Sequence, residues 1–118
     1  MLVVVVTGEG DKAFAAGADI GELAKMSAMD GVRVSRTGQG VFRAIERFSK
    51  PVLAAINGYA LGGGCELALA CQAIIATPAG SMGFPETGIG IIPGLGGMLR
   101  TARIIGPELA KYYVFTGA

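Results

Sequence analysis

Three short segments of this chain are apolar at every position: residues 2–6, 52–56 and 73–76. A strand with one wet face alternates apolar and polar residues. An uninterrupted apolar run is what a strand buried on both faces requires. Between the runs the period changes. Val34, Val41, Phe42, Ile45 and Phe48 recur at helical spacing within residues 31–48, with Arg36, Arg43, Glu46 and Arg47 on the opposite side. Asp19 is placed to cap a shorter helix over residues 21–29. Lys50-Pro51 ends the long helix, and Asn57-Gly58 closes the second apolar run as a turn. Further helices are predicted over residues 63–71 and 98–105, and from Pro107 toward Phe115, with Pro in the first turn. Residues 14–18 read as a small-residue loop, residues 82–84 as a short extended piece and residues 85–97 as a glycine-rich loop. Alternation of apolar strands with helices predicts an α/β fold of parallel strands covered by helices. The length, 118 residues, fits a single domain over residues 1–118.

Composition removes several kinds of function. Ten Lys or Arg balance nine Asp or Glu, a net charge of +1 that gives no electrostatic footprint for nucleic acid or an anionic membrane surface. No histidine is present, so a Ser-His-Asp triad and a His-based metal site are both excluded, and no metal site is predicted. Any general acid or base must be Asp, Glu, Lys, Tyr or Cys. Cys65 and Cys71 lie in one apolar segment at a spacing that cannot bridge on a helix, and read as small buried hydrophobes. No charge-free apolar run is long enough for a transmembrane helix. The segment that opens the chain lacks the basic leader of a signal peptide, so a soluble, cytoplasmic protein is expected, or a mitochondrial one in a eukaryote. Apolar residues are abundant, at 52%, and charged ones scarce, at 16%. That balance predicts strands buried on both faces, together with apolar surface that expects a partner.

The chemistry concentrates in the glycines. Gly62-Gly63-Gly64-Cys65-Glu66 follows a strand and a turn and runs into a helix, which leaves backbone N–H groups unpaired at the helix entrance. A phosphate loop would end in Gly-Lys-Ser or Gly-Lys-Thr, and a dinucleotide fingerprint needs a spaced third glycine; the triplet has neither. Glu66, one helical turn in, would also repel a bound anion. A carbonyl oxygen that becomes an enolate fits better, because it acquires charge only as reaction proceeds and fixed N–H donors then stabilise the transition state. Two acids have unusually apolar neighbours: Glu66, beside Gly64, Cys65, Leu67 and Ala68, and Glu86, within Met82-Gly83-Phe84-Pro85-Glu86-Thr87-Gly88-Ile89. Partial desolvation would move such carboxyls toward acid–base behaviour near neutral pH. A helix-capping role for Glu66 and a plain surface position for Glu86 remain open from these neighbours alone.

Taken together, these stretches resemble the enoyl-CoA hydratase/isomerase (crotonase) family. The resemblance is carried by Gly62-Gly63-Gly64-Cys65-Glu66-Leu67-Ala68, by Phe84-Pro85-Glu86, and by Gly90-Ile91-Ile92-Pro93-Gly94-Leu95-Gly96-Gly97. Upstream, Lys12-Ala13-Phe14-Ala15-Ala16-Gly17-Ala18-Asp19-Ile20 is similar to the family's other substrate-facing loop, and residues 50–58 to its central strand. The resemblance implies a crotonase-like spiral core of parallel strands with flanking helices, without the family's N-terminal strands and C-terminal trimerisation helices. It implies hydration of the 2,3-double bond of a 2-enoyl-CoA thioester to a 3-hydroxyacyl-CoA, with Glu66 and Glu86 as catalytic acids and the backbone N–H groups of Ala18 and Gly63 as an oxyanion hole. Substrate contacts are implied for Ala16, Asp19 and Ile20 in the first loop, for Leu61, Gly62 and Gly64 around the triplet, and for Pro85 and Gly94. No cofactor is implied, coenzyme A being part of the acyl-CoA substrate. The implied assembly is a homo-oligomer, a trimer or hexamer in full-length members. The alternatives are an enoyl-CoA isomerase on the same fold or a catalytically weak acyl-CoA-binding fragment. Gly21 stands where many members carry Lys, Gln72 where Asp is common, and Met98-Leu99 where Thr-Gln is usual. With those terminal parts lacking, an exposed sheet edge beside residues 2–6 and an uncovered apolar surface are expected.

Overall fold

The computed structural model describes residues 2–118. The chain winds as a spiral in which each turn adds one strand to each of two parallel sheets. The first turn contributes β1 (Val4–Thr7) and β2 (Ala13–Ala15), the second β3 (Val52–Ile56) and β4 (Tyr59–Leu61), the third β5 (Ala73–Ala76) and β6 (Ser81–Gly83). One sheet has the order β1-β3-β5 and the other β2-β4-β6. Registers run Val4↔Val52 through Thr7↔Ala55 and Leu53↔Ala73 through Ile56↔Ala76 in the first sheet. The corners between sheets are tight. Asn57 pins two of them together: its Oδ1 accepts from Gly8 N at 3.1 Å, and its Nδ2 donates to Gly10 O at 2.8 Å.

Helices fill the returns. After β2 come α1 (Ile20–Lys25) and α2 (Ala28–Glu46), after β4 comes α3 (Gly63–Ala70), and after β6 a 3₁₀ helix (Pro85–Ile89), α4 (Gly97–Ile105) and α5 (Pro107–Thr116). Asp19 caps α1 as expected, accepting from Gly21 N at 2.7 Å. The core lies where β2, β3, β4 and α3 meet: Phe14, Ala54, Ile56, Ala60 and Ala68 are buried together. Ile56 is 1% exposed, and burying a side chain of that size stabilises by roughly 1.5–3 kcal/mol. A second cluster joins Cys65 of α3, Phe84 and Val114 of α5.

Four expectations are corrected. The expected strand over residues 2–6 is not buried on both faces: as β1 it forms an edge of its sheet and Val5 is 59% exposed. β5, at the other edge, leaves Ile75 63% exposed, so only the central β3 carries the alternating burial of a covered strand. An apolar run tolerates burial on both faces but does not enforce it. Residues 14–18 are partly strand, since β2 and β4 complete a second sheet whose three-residue strands are too short and too rich in small residues to show a period. The expected helix over residues 21–29 ends at Lys25, because Ser27 and Asp30 form a capping box that starts α2 anew. Finally, the apolar stripe of α2 is only partly covered: Phe42 and Ile45 are half-buried, while Val34 and Val41 stay exposed. Gln72 fastens the end of that helix instead, donating to Ile45 O at 3.0 Å and Glu46 O at 2.9 Å while its Oε1 accepts from Val52 N at 2.7 Å. The expected exposed sheet edge and uncovered apolar surface are both present: β1 is an edge, and Leu99 of α4 and Phe115 of α5 are 67% and 70% exposed.

Candidate active site

Glu66 sits in the first turn of α3 and is 1% exposed. A carboxylate taken this far from water needs donors, and it has two: Leu95 N at 2.9 Å and Gly97 N at 3.0 Å, both to Oε1. Gly97 opens α4, whose free N–H groups favour negative charge. Burial pushes the Glu66 carboxyl above the ordinary range, the two backbone donors and the Arg100 charge opposing it. Gly97 must be glycine for this contact, since a Cβ there would lie 2.5 Å from Glu66 Cγ.

Glu86 follows Pro85 in the 3₁₀ helix and is 8% exposed. Its Oε2 is buried without a hydrogen-bond partner among the described residues. Burial raises this carboxyl too, and the nearby Glu66 charge raises it further. The carboxylate lies over Gly62, where a Cβ would come 2.9 Å from Glu86 Oε1 and where φ is +55°, so the position is closed to a side chain twice over.

Both acids line one cavity of about 490 Å³. Its floor is the α3 entrance, with Gly62 and Gly63, and the chain between β2 and α1, with Ala16, Gly17 and Ala18. These two backbone stretches nearly touch: a Cβ on Gly17 would be 3.4 Å from Gly63 N. Gly63 is the first residue of α3, so its N–H has no acceptor within the helix. The walls are apolar, from Leu23, Met26 and Val34 on one side and Ile89 and Ile91 on the other.

The structure thus brings Glu66, Glu86, Ala18 and Gly63 around one hollow, with Ala16, Ile20, Gly62, Pro85 and Gly94 also on its lining. Three of the expected substrate contacts are not on that lining. Asp19 turns its carboxylate to the α1 N-terminus as a cap. Leu61 ends β4 beneath the site. Gly64 is buried against β2, where a Cβ would meet Ala15 O at 2.0 Å, so its role is packing. The donors Leu95 and Gly97, which settle the surroundings of Glu66, lie in a motif that the sequence already marks, but only the fold shows that their N–H groups meet Glu66. A larger groove of about 910 Å³ runs between α2 and α4, but neither Glu66 nor Glu86 lines it, so the smaller cavity carries the candidate chemistry.

The chain as a whole matches a known set of proteins. The family model described as enoyl-CoA hydratase/isomerase matches residues 1–118. The chain belongs to the enoyl-CoA hydratase/isomerase family. Among curated relatives, a crotonyl-CoA hydratase of Syntrophomonas wolfei is 50% identical over 114 residues, covering 97% of this chain and 44% of the relative. A short-chain-enoyl-CoA hydratase of Clostridium acetobutylicum is 47% identical over 116 residues, 98% of this chain and 44% of its own length. The crystal structure of an enoyl-CoA hydratase from Bacillus anthracis superposes with a TM-score of 0.91 at 46% identity, covering 98% of this chain and 45% of that one. The family's crotonase-like spiral is therefore the fold of this chain, which spans about 44% of the length of the curated relatives it matches.

Proposed function

We propose that this chain carries the active site of an enoyl-CoA hydratase, a hydro-lyase acting on 2-enoyl-CoA thioesters. The observation that supports this reading most is the unequal pair of buried carboxylates on one cavity floored by the Gly63 and Ala18 backbone. Two backbone N–H donors favour the ionised form of Glu66 against its burial, whereas burial and the Glu66 charge favour the protonated form of Glu86, whose Oε2 has no partner among the described residues. One acid is thus disposed to act as base and the other as acid.

The steps then follow. Water attacks C3 of the enoyl thioester as Glu66 takes one of its protons. The double-bond electrons move toward C2 and the thioester oxygen, where the N–H groups of Gly63 and Ala18 meet the developing charge. A single donor of this kind is worth about 3 kcal/mol in the transition state. Glu86 delivers its proton to C2, giving the 3-hydroxyacyl thioester, and the proton on Glu66 returns to Glu86 before the next turnover. Ala16, Ile20, Gly62, Pro85 and Gly94 contact the substrate in this reading. Coenzyme A enters as part of the substrate and no separate cofactor is required. The exposed apolar faces of β1, β5, α4 and α5 suit assembly as a homo-oligomer. Cytoplasmic location, or mitochondrial in a eukaryote, belongs to the same reading; among the described residues no helix is long and apolar enough to cross a membrane.

The test is turnover of a short 2-enoyl-CoA with product analysis. A 3-hydroxyacyl-CoA supports hydration, and a shifted alkene would make the chain an isomerase. Glu66→Gln and Glu86→Gln must each abolish most of the rate; if both keep wild-type turnover, the assignment is wrong.

A further inference from the structure

The turn at residues 94–97 supplies both N–H groups that Glu66 accepts, yet three of its four residues are glycine and Gly96 sits at φ +96°. A backbone so free in the unfolded chain has to be held by something else. Side chains of two helices hold it. From α2, Gln39 Nε2 donates to Gly94 O at 2.9 Å and to Ser35 Oγ at 3.0 Å, and the Ser35 hydroxyl donates to the same Gly94 O. From α4, Arg100 Nη1 donates to Leu95 O at 2.9 Å, and its Nε is fixed by Glu46 Oε1 at 2.8 Å.

The carbonyl of Gly94 and the N–H of Leu95 belong to one peptide group. That group is planar and trans, so its oxygen and its hydrogen point in opposite directions. Whatever fixes the oxygen fixes the direction of the hydrogen. Here α2 grips the oxygen on one edge and Glu66 takes the hydrogen on the other. Donors to a carbonyl also polarise its amide and strengthen the N–H as a donor.

We propose that Gln39 and Ser35 are positioning residues for Glu66, acting through the peptide group between Gly94 and Leu95. The proposal gives the exposed Gln39 and the half-buried Ser35 of α2 a task in the chemistry. It rests on the reading of Glu66 as the catalytic base, and its test separates the two.

The primary measurement is the titration of the Glu66 side-chain carboxyl by carbon NMR in the full chain, which needs no turnover. In Gln39→Leu the Gly94 carbonyl loses a donor, the Leu95 N–H loosens, and the Glu66 midpoint moves to higher pH. Ser35→Ala moves it the same way and serves if Gln39→Leu fails to fold. Thr37→Ala, also on α2, leaves it in place. The titratable and charged groups that face Glu66 are Glu86 from the 3₁₀ helix, Arg100 from α4 and the neighbouring Cys65, and all are retained in these variants. In hydration assays Gln39→Leu lowers kcat about 10- to 100-fold with KM little changed, and the acid limb of the profile follows the NMR midpoint. A Gln39→Leu and a Ser35→Ala protein that melt lower but titrate Glu66 at the wild-type pH would overturn the proposal, because their side chains would then support only the fold. If instead Glu66→Gln hydrates at the wild-type rate, the base assignment fails while the titration still reports on the positioning.

Discussion

Glu66 and Glu86 close the same cavity from opposite kinds of structure. Glu66 rises from a regular helix and meets the start of another, so its oxygen is met by two N–H groups. Glu86 stands in a short 3₁₀ segment and rests over a glycine, one oxygen without a partner among the described residues. Both are buried and burial raises both carboxyls, yet at Glu66 two N–H donors oppose the rise, while at Glu86 the Glu66 charge adds to it. Burial alone raises the pKa of a carboxyl; the donors around it decide which protonation state it brings to a reaction.

The largest effect should come from breaking the pair. Glu66→Gln and Glu86→Gln are each expected to lower kcat by about 10²–10⁴-fold, measured by disappearance of the conjugated enoyl thioester. The rate should fall at low pH as Glu66 gains a proton and at high pH as Glu86 loses one. Both limbs should stand above the ordinary carboxylate range, because both carboxyls are raised. A profile flat across that region would remove the distinction between base and acid.

Next in size are the glycines that the carboxylates lie on. Gly97→Ala places a Cβ 2.5 Å from Glu66 Cγ, and Gly62→Ala places one 2.9 Å from Glu86 Oε1 at a positive φ. Each is expected to cost about 1–3 kcal/mol of stability, read from urea unfolding. An effect at only one of the two would show which carboxylate can yield.

A smaller effect distinguishes the carboxylates by pH. Both folded-state values are raised, so the folded protein binds these protons more tightly than the unfolded chain. Their stabilising contribution is complete below the ordinary carboxylate value and is lost as pH rises through the folded values. Glu86→Gln should therefore raise stability at pH 8 by on the order of 1 kcal/mol and leave it nearly unchanged at acid pH. Comparable stabilisation at both pH values would mean that Glu86 is not strained by its charge. Smallest is the response of Cys65, which shares the interior with both acids. Burial pushes its thiol up to about 12, so alkylation at pH 8 should modify it only on unfolding; labelling of the native protein at that residue would show the α3 entrance to be open.

Much of this was legible in the residues. The short apolar run at Val52–Ile56, the cap at Asp19 and the proline-led α5 were readable because each rests on a local signal: unbroken apolar residues, a side-chain acceptor and a fixed φ. The two acids were singled out by apolar neighbours, and the family by its glycine motifs. The second sheet was not legible, since Ala13–Ala15, Tyr59–Leu61 and Ser81–Gly83 are too short to show a period. The break between α1 and α2 was expected near residue 30 and falls at residues 26–27; its place had a signal in Ser27 and Asp30, three apart ahead of a helix.

The sequence by itself determined that this chain is α/β, that any acid–base chemistry must come from groups other than histidine, and that small residues open a helix at Gly62-Gly63-Gly64. Only the tertiary structure decided that Leu95 and Gly97 donate to Glu66, that Glu86 lies over Gly62, and that Asp19, Leu61 and Gly64 serve the scaffold. The reason is range. Caps, turns and strand runs are set by neighbours a few residues away, whereas Glu66 meets donors 29 and 31 residues along the chain, and their direction is fixed only once the spiral has closed.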